Sequence, residues 1–341
     1  MRAPGIIAAQ AANAMLSMIA GRGDDADDLS ARVGIVRSSL CGASNVVPLA
    51  KFTSMLETAA MDRGSDLFGV ELGKAFQAES LGPIASLFTT SATVGEALRK
   101  FTRYFPTIQS NTKITISIDG DVARMSYAID DPTVKFRLQD AHFSVAFEYS
   151  LLSKLLGSRS SITAIDFQHA YRDAYGYKAY FDCPVRLGQR DNAIYFLARS
   201  LDAPIYQANE AASLRLEREL ADAMRITQTQ LDLVAGIEAW MAAAISRSAS
   251  IDIEDAASDF GISLRSFQRK LADYNINYLE IRNRVRTQIA SCMLSETRLP
   301  VTTIGIYLGY SETSAFSRGF KKMTGRTPAE FRTAAAAETG G

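Results

Sequence analysis

The sequence is short of the residues that build metal sites and disulfide frameworks. It has two histidines, His142 and His169, and no His-Glu-x-x-His pattern, which excludes a histidine-rich metal centre. Its three cysteines, Cys41, Cys183 and Cys292, are odd in number and far apart. They suit neither a disulfide framework nor zinc spacing, and a reducing cytoplasm fits them best. No Walker A lysine motif, Gly-x-Ser-x-Gly or Gly-x-Gly-x-x-Gly occurs, so the common enzyme signatures are missing and an enzyme is not expected. No run of 18 apolar residues exists, so no membrane span is expected. Met1-Arg2 and the stretch Gly5 to Ala20 imitate a signal peptide. Gln10 and Asn13 interrupt that run, however, and the charged turn Gly21-Arg22-Gly23-Asp24-Asp25 follows, so a first helix ending at Gly21 is expected instead. Net charge is also missing. Lys+Arg and Asp+Glu both number 37 in 341 residues, a balance that at first argues against a polyanionic partner.

What is present divides in two. Val47 to Asp62 and Thr93 to Tyr104 show helical spacing of apolar residues. From Lys113 the period falls to two. Ile114, Ile116 and Ile118 alternate with polar residues, Gly120-Asp121 turns, and Val122 to Ile129 returns as a hairpin. Phe143 to Leu156 reads as an apolar helix, and Ile162 to Phe167, Val185 to Leu187 and Ala193 to Phe196 read as short strands. After residue 205 everything reads as helix, starting with Asn209 to about Ser246, which carries the single tryptophan, Trp240.

The charge divides as well. From Gly261 to Arg332 there are 12 Lys+Arg and 5 Asp+Glu, a net of +7, which the remaining residues cancel. This basic stretch holds a repeated pattern. Ile253 to Phe260 is a short amphipathic helix broken by Gly261-Ile262-Ser263, and Leu264 to Tyr274 follows as a second helix with Ser263 as its N-cap. About 48 residues later, Val301 to Leu308, the turn Gly309-Tyr310-Ser311 and Glu312 to Met323 repeat the scheme. Phe267, Arg269 and Leu271 correspond to Phe316, Arg318 and Phe320; the apolar pair in each lies on one face and the arginine on another. Tyr278 to Leu294, bearing Arg282, Arg284 and Arg286, joins the units. At 1.5 Å per residue it spans roughly 25 Å, enough to hold two recognition helices about one DNA turn apart.

Ile304-Gly305-Ile306-Tyr307-Leu308-Gly309-Tyr310-Ser311, Ala315 to Lys322 and Thr324 to Arg332 resemble the signature of AraC/XylS-type transcription regulators, over about residues 235 to 333. Gly305 stands where that family usually has alanine. Gly82 to Arg99 and Phe181-Asp182-Cys183-Pro184-Val185 resemble, more weakly, the arabinose-binding-like regulatory domain of one branch. The resemblance implies an α+β chain: a mixed helix/sheet regulatory domain, then an all-α DNA-binding domain with two helix-turn-helix units joined by a long helix. The expected divisions are an effector-binding and dimerisation domain at 1–205, a linker helix at 206–234, the DNA-binding domain at 235–335 and a disordered tail at 336–341. The implied partners are double-stranded promoter DNA, RNA polymerase, a small-molecule effector and a second copy of the chain, in the cytoplasm, with activation favoured.

By the same resemblance, bases are read by Arg265, Gln268 and Arg269 in the first unit and by Glu312, Thr313, Ser314, Ser317 and Arg318 in the second. Arginine suits guanine, glutamine adenine, and glutamate the amino group of cytosine. Ser263, Ser311, Lys321, Lys322 and Arg326 are expected at phosphates. The alternative for any one of them is a place on a solvated basic face.

No cofactor is expected, and the effector is less legible. Arg99 and Arg103, four apart on one helix face, could clamp phosphates between two guanidinium forks. The Arg-x-x-x-Arg pattern resembles the arginine half of the cyclic di-GMP motif of PilZ domains, while Asp28 to Gly34 misses the second half by one residue. Cyclic di-GMP is therefore one candidate effector. An aliphatic or amino-acid-like effector, or a protein partner, is the rival, with Glu96 pairing Arg99 on an ordinary surface helix. Tyr171, Tyr175, Tyr177, Tyr180 and Phe181 could line a ligand pocket or stack a base, with a loop packing them against the sheet the favoured reading. His142 is expected to be a buried hydrogen-bonded histidine, His169 a loop residue, and Cys183 no nucleophile.

Overall fold

The computed structural model describes residues 5–35, 46–157, 161–170 and 176–339; Cys41, Tyr171 and Tyr175 lie outside them. The chain divides into a unit of Pro4–Thr227 and a unit made chiefly of Gln228–Gly341.

The first unit opens with a short antiparallel pair, β1 (Ile6–Ala8) and β2 (Val46–Pro48). α1 (Ala9–Ala20) buries Ala12, Met15, Leu16 and Ile19, one apolar stripe at helical spacing that stops at Gly21. In α2 (Ala26–Arg32) the N-cap carboxylate of Asp25 accepts from the amides of Asp27 and Asp28. α3 (Leu49–Arg63) follows, burying Phe52, Met55, Leu56 and Ala59. α4 (Phe68–Ala75) falls in a region, residues 1 to about 110, that reads mostly helical, but its apolar spacing does not mark it out because two of its buried positions are glycines. A Cβ on Gly69 would lie 2.2 Å from the carbonyl oxygen of Gln139, and one on Gly73 2.3 Å from that of Phe143. Glycine here brings two helix backbones together, an effect that hydrophobic spacing does not register.

α5 (Leu87–Thr90) leads to α6 (Val94–Tyr104), whose N-cap Thr93 accepts from the Glu96 amide. β3 (Thr112–Asp119) and β4 (Val122–Ile129) form the expected hairpin, with Ile116 opposite Met125. Inward alternation on β3 fails toward the tip: Ile114 is buried, Ile116 half-buried and Ile118 exposed. β3 is an edge strand, so its distal end has no neighbour on one side. α7 (Leu138–Leu156) starts five residues earlier than the apolar run, because its first turn buries the polar Gln139, Asp140 and His142. β5 (Ile162–Asp166), β6 (Val185–Arg186) and β7 (Asn192–Leu197) complete a five-stranded sheet of order β3-β4-β7-β5-β6. Every pairing is antiparallel except β5 with β6. α7 packs against α4 on one side and against β4 and β7 on the other.

α8 (Glu210–Ser246) begins in the first unit and ends in the second. Leu216 and Leu220 join the first core, and Ile237, Met241 and Ile245 join the second. The second unit continues with α9 (Ile253–Asp259), α10 (Leu264–Asp273), α11 (Tyr278–Glu296), α12 (Val301–Tyr307), α13 (Thr313–Thr324) and α14 (Pro328–Thr339). The helix α14 thus extends through residues 336–339 of the expected tail. No helix among the described residues is long and apolar enough to cross a membrane.

Candidate nucleic-acid interface and ligand cavity

Each helix-turn-helix unit is set by a glycine in the left-handed region, where a side chain is strained: Gly261 at φ 69° and Gly309 at φ 76°. Ser263 caps α10, its hydroxyl accepting from the Ser266 amide at 3.2 Å. Phe267 and Leu271 are buried below α10, as are Phe316 and Phe320 below α13, so the repeated apolar pairs do anchor the second helices. Gly305 on α12 faces Phe316; a Cβ there would meet its ring at 3.3 Å, so glycine leaves these two helices room for close approach.

That packing turns the remaining faces outward. Arg265, Gln268 and Arg269 are exposed on α10; Ser314 and Arg318 are exposed on α13, with Thr313 and Ser317 half-buried beside them. Glu312 precedes α13, and its Oε2 accepts from the Ser314 hydroxyl at 2.9 Å. Ser311, Lys321, Lys322 and Arg326 are exposed as well.

The joining helix treats its arginines differently. Arg284 binds Glu238 with Nη2 to Oε1 at 2.6 Å, and Arg282 reaches Asp252 at 3.2 Å. Arg286 donates to the Gly309 carbonyl at 3.1 Å and lies over the Tyr310 ring. These three cations make contacts internal to the helical unit, and most of the exposed positive charge of the basic stretch sits on and just after the second helices.

In the first unit, Arg99 and Arg103 are exposed on α6. Glu96 pairs with Lys100 at 2.6 Å rather than with Arg99, and Lys100 also reaches Glu217 at 2.7 Å on α8. The opposite face of α6 sends Phe101 into a small apolar cavity where α1, α3, α6, α7 and β4 meet. Phe52, Phe76, Phe101, Phe105, Phe143 and Phe147 are the aromatic hydrocarbons of the wall, alongside five aliphatic residues. Gln109, Tyr127, Ser144 and Glu148 are its polar members, and no lysine, arginine or histidine lines it.

The polar groups differ in how they are satisfied. Gln109 donates to the Tyr127 hydroxyl at 2.8 Å, and that hydroxyl donates to Asp140 Oδ2 at 2.6 Å. Burial raises the Asp140 carboxyl to about 7 against the bond from Tyr127, with Glu57 adding to the rise. Glu148 is 2% exposed, and its Oε2 has no hydrogen-bond partner among the described residues. Burial alone pushes its carboxyl to about 8. Sequence reasoning missed Glu148: one acid inside an apolar helical run carries no motif, and only its burial makes it unusual.

The other candidates are structural. His142 is buried, with Nε2 2.7 Å from the Tyr177 hydroxyl and 3.1 Å from His169 Nε2. Desolvation first, then the neighbouring His169, lowers His142 to about 3; desolvation lowers His169 to about 4. Tyr177 and Phe181 are buried, and the Tyr180 hydroxyl donates to Glu71 at 3.3 Å. Burial and the nearby Asp182 raise the Cys183 thiol to about 11, so it rests protonated.

Comparison with known proteins matches both units. The arabinose-binding domain of AraC transcription regulators, N-terminal, matches residues 23–205, and a helix-turn-helix domain matches residues 256–334. The chain belongs to the AraC family of transcription regulators. It is a DNA-binding regulator with an N-terminal ligand-binding domain. The chain is 24% identical to the ornithine utilization regulator of Pseudomonas aeruginosa over 90% of its own length and 94% of that protein. It is 25% identical to the regulator VirS of Mycobacterium tuberculosis over 83% and 84%. A segment of 57 residues, 17% of this AraC-family chain and 20% of the relative, is 44% identical to the arabinose operon regulatory protein of Escherichia coli. Among solved structures, the regulator CdpR of Pseudomonas aeruginosa aligns at a TM-score of 0.44 and 21% identity, covering 90% of this chain and 96% of that one.

Proposed function

We propose that this AraC-family chain is an effector-gated transcription activator that binds promoter DNA as a dimer in the cytoplasm and engages RNA polymerase. α10 and α13 enter successive major grooves. Arg265, Gln268 and Arg269 on one, and Glu312, Thr313, Ser314, Ser317 and Arg318 on the other, read base edges. Ser263, Ser311, Lys321, Lys322 and Arg326 hold phosphates. The observation that carries this reading is the pairing of two phased helix-turn-helix units whose exposed cations stand on the second helices while the cations of α11 are engaged internally.

Selection of bound duplexes from a random pool, followed by footprinting, tests it. Two protected stretches about one helical turn apart are expected. A single short stretch, or no enriched sequence, overturns it.

The effector enters the phenylalanine-rich cavity of the first unit, which is apolar with a few polar groups, as the linings of small-molecule sites are. A second reading uses Arg99 and Arg103 for a cyclic dinucleotide, and their shared exposed face on α6 favours it. That site lies outside the cavity wall, so the two readings separate cleanly. Replacing Arg99 and Arg103 with alanine abolishes cyclic di-GMP binding in the second and leaves cavity ligands unaffected in the first.

A further inference from the structure

The cavity wall is selective in charge. It holds one ionisable acid with an unpartnered oxygen, Glu148 on α7, and no cationic side chain. Ser144, one turn earlier on the same helix face, also lines it. Gln109 and Tyr127 are already tied to each other and to Asp140. Tyr127 on β4 is the other titratable side chain of the wall, and burial and Asp140 hold its hydroxyl protonated.

A buried carboxyl without a partner is costly, and the cost is relieved by a hydrogen-bond donor or a positive charge. An anionic ligand head would find no cation here, only the neutral Glu148 O–H, and would keep its own charge uncompensated in an apolar cavity. A neutral hydrocarbon would leave Oε2 unsatisfied. A positively charged head satisfies it, and an aromatic-rich wall accommodates a cation better than an aliphatic one wherever a ring face is presented. Resting on the reading of this cavity as the effector site, we propose that it takes an amphipathic amine: an aryl or alkyl body against Phe52, Phe101, Phe105 and Phe147, and one ammonium group on the Glu148 carboxylate.

The step has a proton balance. In the empty cavity burial keeps Glu148 protonated near neutral pH. The ligand arrives as an ammonium ion, the Glu148 O–H bond breaks, and its proton passes to solvent. The carboxylate left behind pairs with the ammonium, so binding at pH 7 releases about one proton.

Isothermal calorimetry on the full chain tests this with 2-phenylethylamine and hexylamine, using 2-phenylethanol and 3-phenylpropanoate as matched neutral and anionic probes. Run at pH 7 in two buffers of different ionisation enthalpy, it should show the amines binding with close to one proton released, and at least about tenfold more tightly than the alcohol or the acid. Glu148→Gln, checked for native circular dichroism, should lose that preference and release no proton. Amine binding without proton release in the wild type overturns the proposal even if the variant fails to fold. So does equal or tighter binding of the alcohol or the acid, or no amine binding at all. If amines bind as described and the affinity for the selected DNA does not change, the ligand class stands and the gating reading fails.

Discussion

The two units use ionisable side chains in opposite ways. In the helix-turn-helix unit the groups assigned to function are exposed cations, while three arginines of α11 are spent on internal contacts with Glu238, Asp252 and the Gly309 carbonyl. In the first unit the exposed arginines stand apart from the cavity, and the informative groups are acids with almost no access to water, Asp140 and Glu148. A phosphate backbone is met at a surface, by charge that keeps its hydration until contact. A small ligand is enclosed, so its site can hold a polar group whose partner arrives with the ligand.

That contrast can be broken at several points. The largest effect is expected beneath the second helices. Phe267→Ala or Phe316→Ala should cost about 3–5 kcal/mol, read by calorimetric melting of the helical unit. A cost under about 1 kcal/mol would mean that these rings do not anchor α10 and α13.

The next bears on the cavity. Glu148 has a raised carboxyl in the folded chain, so its contribution to stability is fully present below about pH 4.5 and is lost as pH rises through about 8. Glu148→Gln should therefore leave stability nearly unchanged at pH 5 and raise it at pH 8, by a few kcal/mol at about 1.4 kcal/mol per pKa unit. Denaturant melts at the two values check this, and a variant less stable at pH 8 would show that Glu148 is ionised and paired. The histidines run the other way. Lowered to about 3 and 4, His142 and His169 contribute stability above about pH 6.5 that is lost as pH falls.

Arg269→Ala and Arg318→Ala should each weaken binding to the selected site by about 1–3 kcal/mol and to random DNA much less, by fluorescence anisotropy. Arg284→Ala should behave differently, lowering the melting temperature through the loss of its bond to Glu238 while keeping the preference for the selected site. Equal losses on both DNAs for Arg269 or Arg318 would make that residue a phosphate contact. The smallest change is at Lys322: alanine there should reduce the slope of log affinity against log salt by about one unit, and an unchanged slope would remove it from the phosphate set.

Much of the second unit was legible because its information is local. Gly261 with Ser263, and Gly309 with Ser311, mark turns within three residues, and Phe267 with Leu271 needs only helical spacing to point inward. The first unit was legible where periodicity rules, as in the β3–β4 hairpin and α6. It was illegible where packing across the chain decides. α4 lies in a region that reads mostly helical but has no bounds of its own in the pattern, because Gly69 and Gly73 act through α7, some seventy residues away, and the start of α7 is hidden because its first turn buries polar side chains. Glu96 pairs with Lys100, four residues on along the same helix face, and only the fold shows that Glu217 on α8 shares that ammonium group.

By itself, then, the sequence determined the two helix-turn-helix units, their regulator family and the basic stretch that a neutral total conceals, since turns, caps and local charge are short-range properties. The tertiary structure alone decided which arginines are engaged internally and which stay exposed, and which acid has an unpartnered oxygen in a cavity. Both depend on desolvation and on partners from distant segments, and neither quantity exists until the chain is folded.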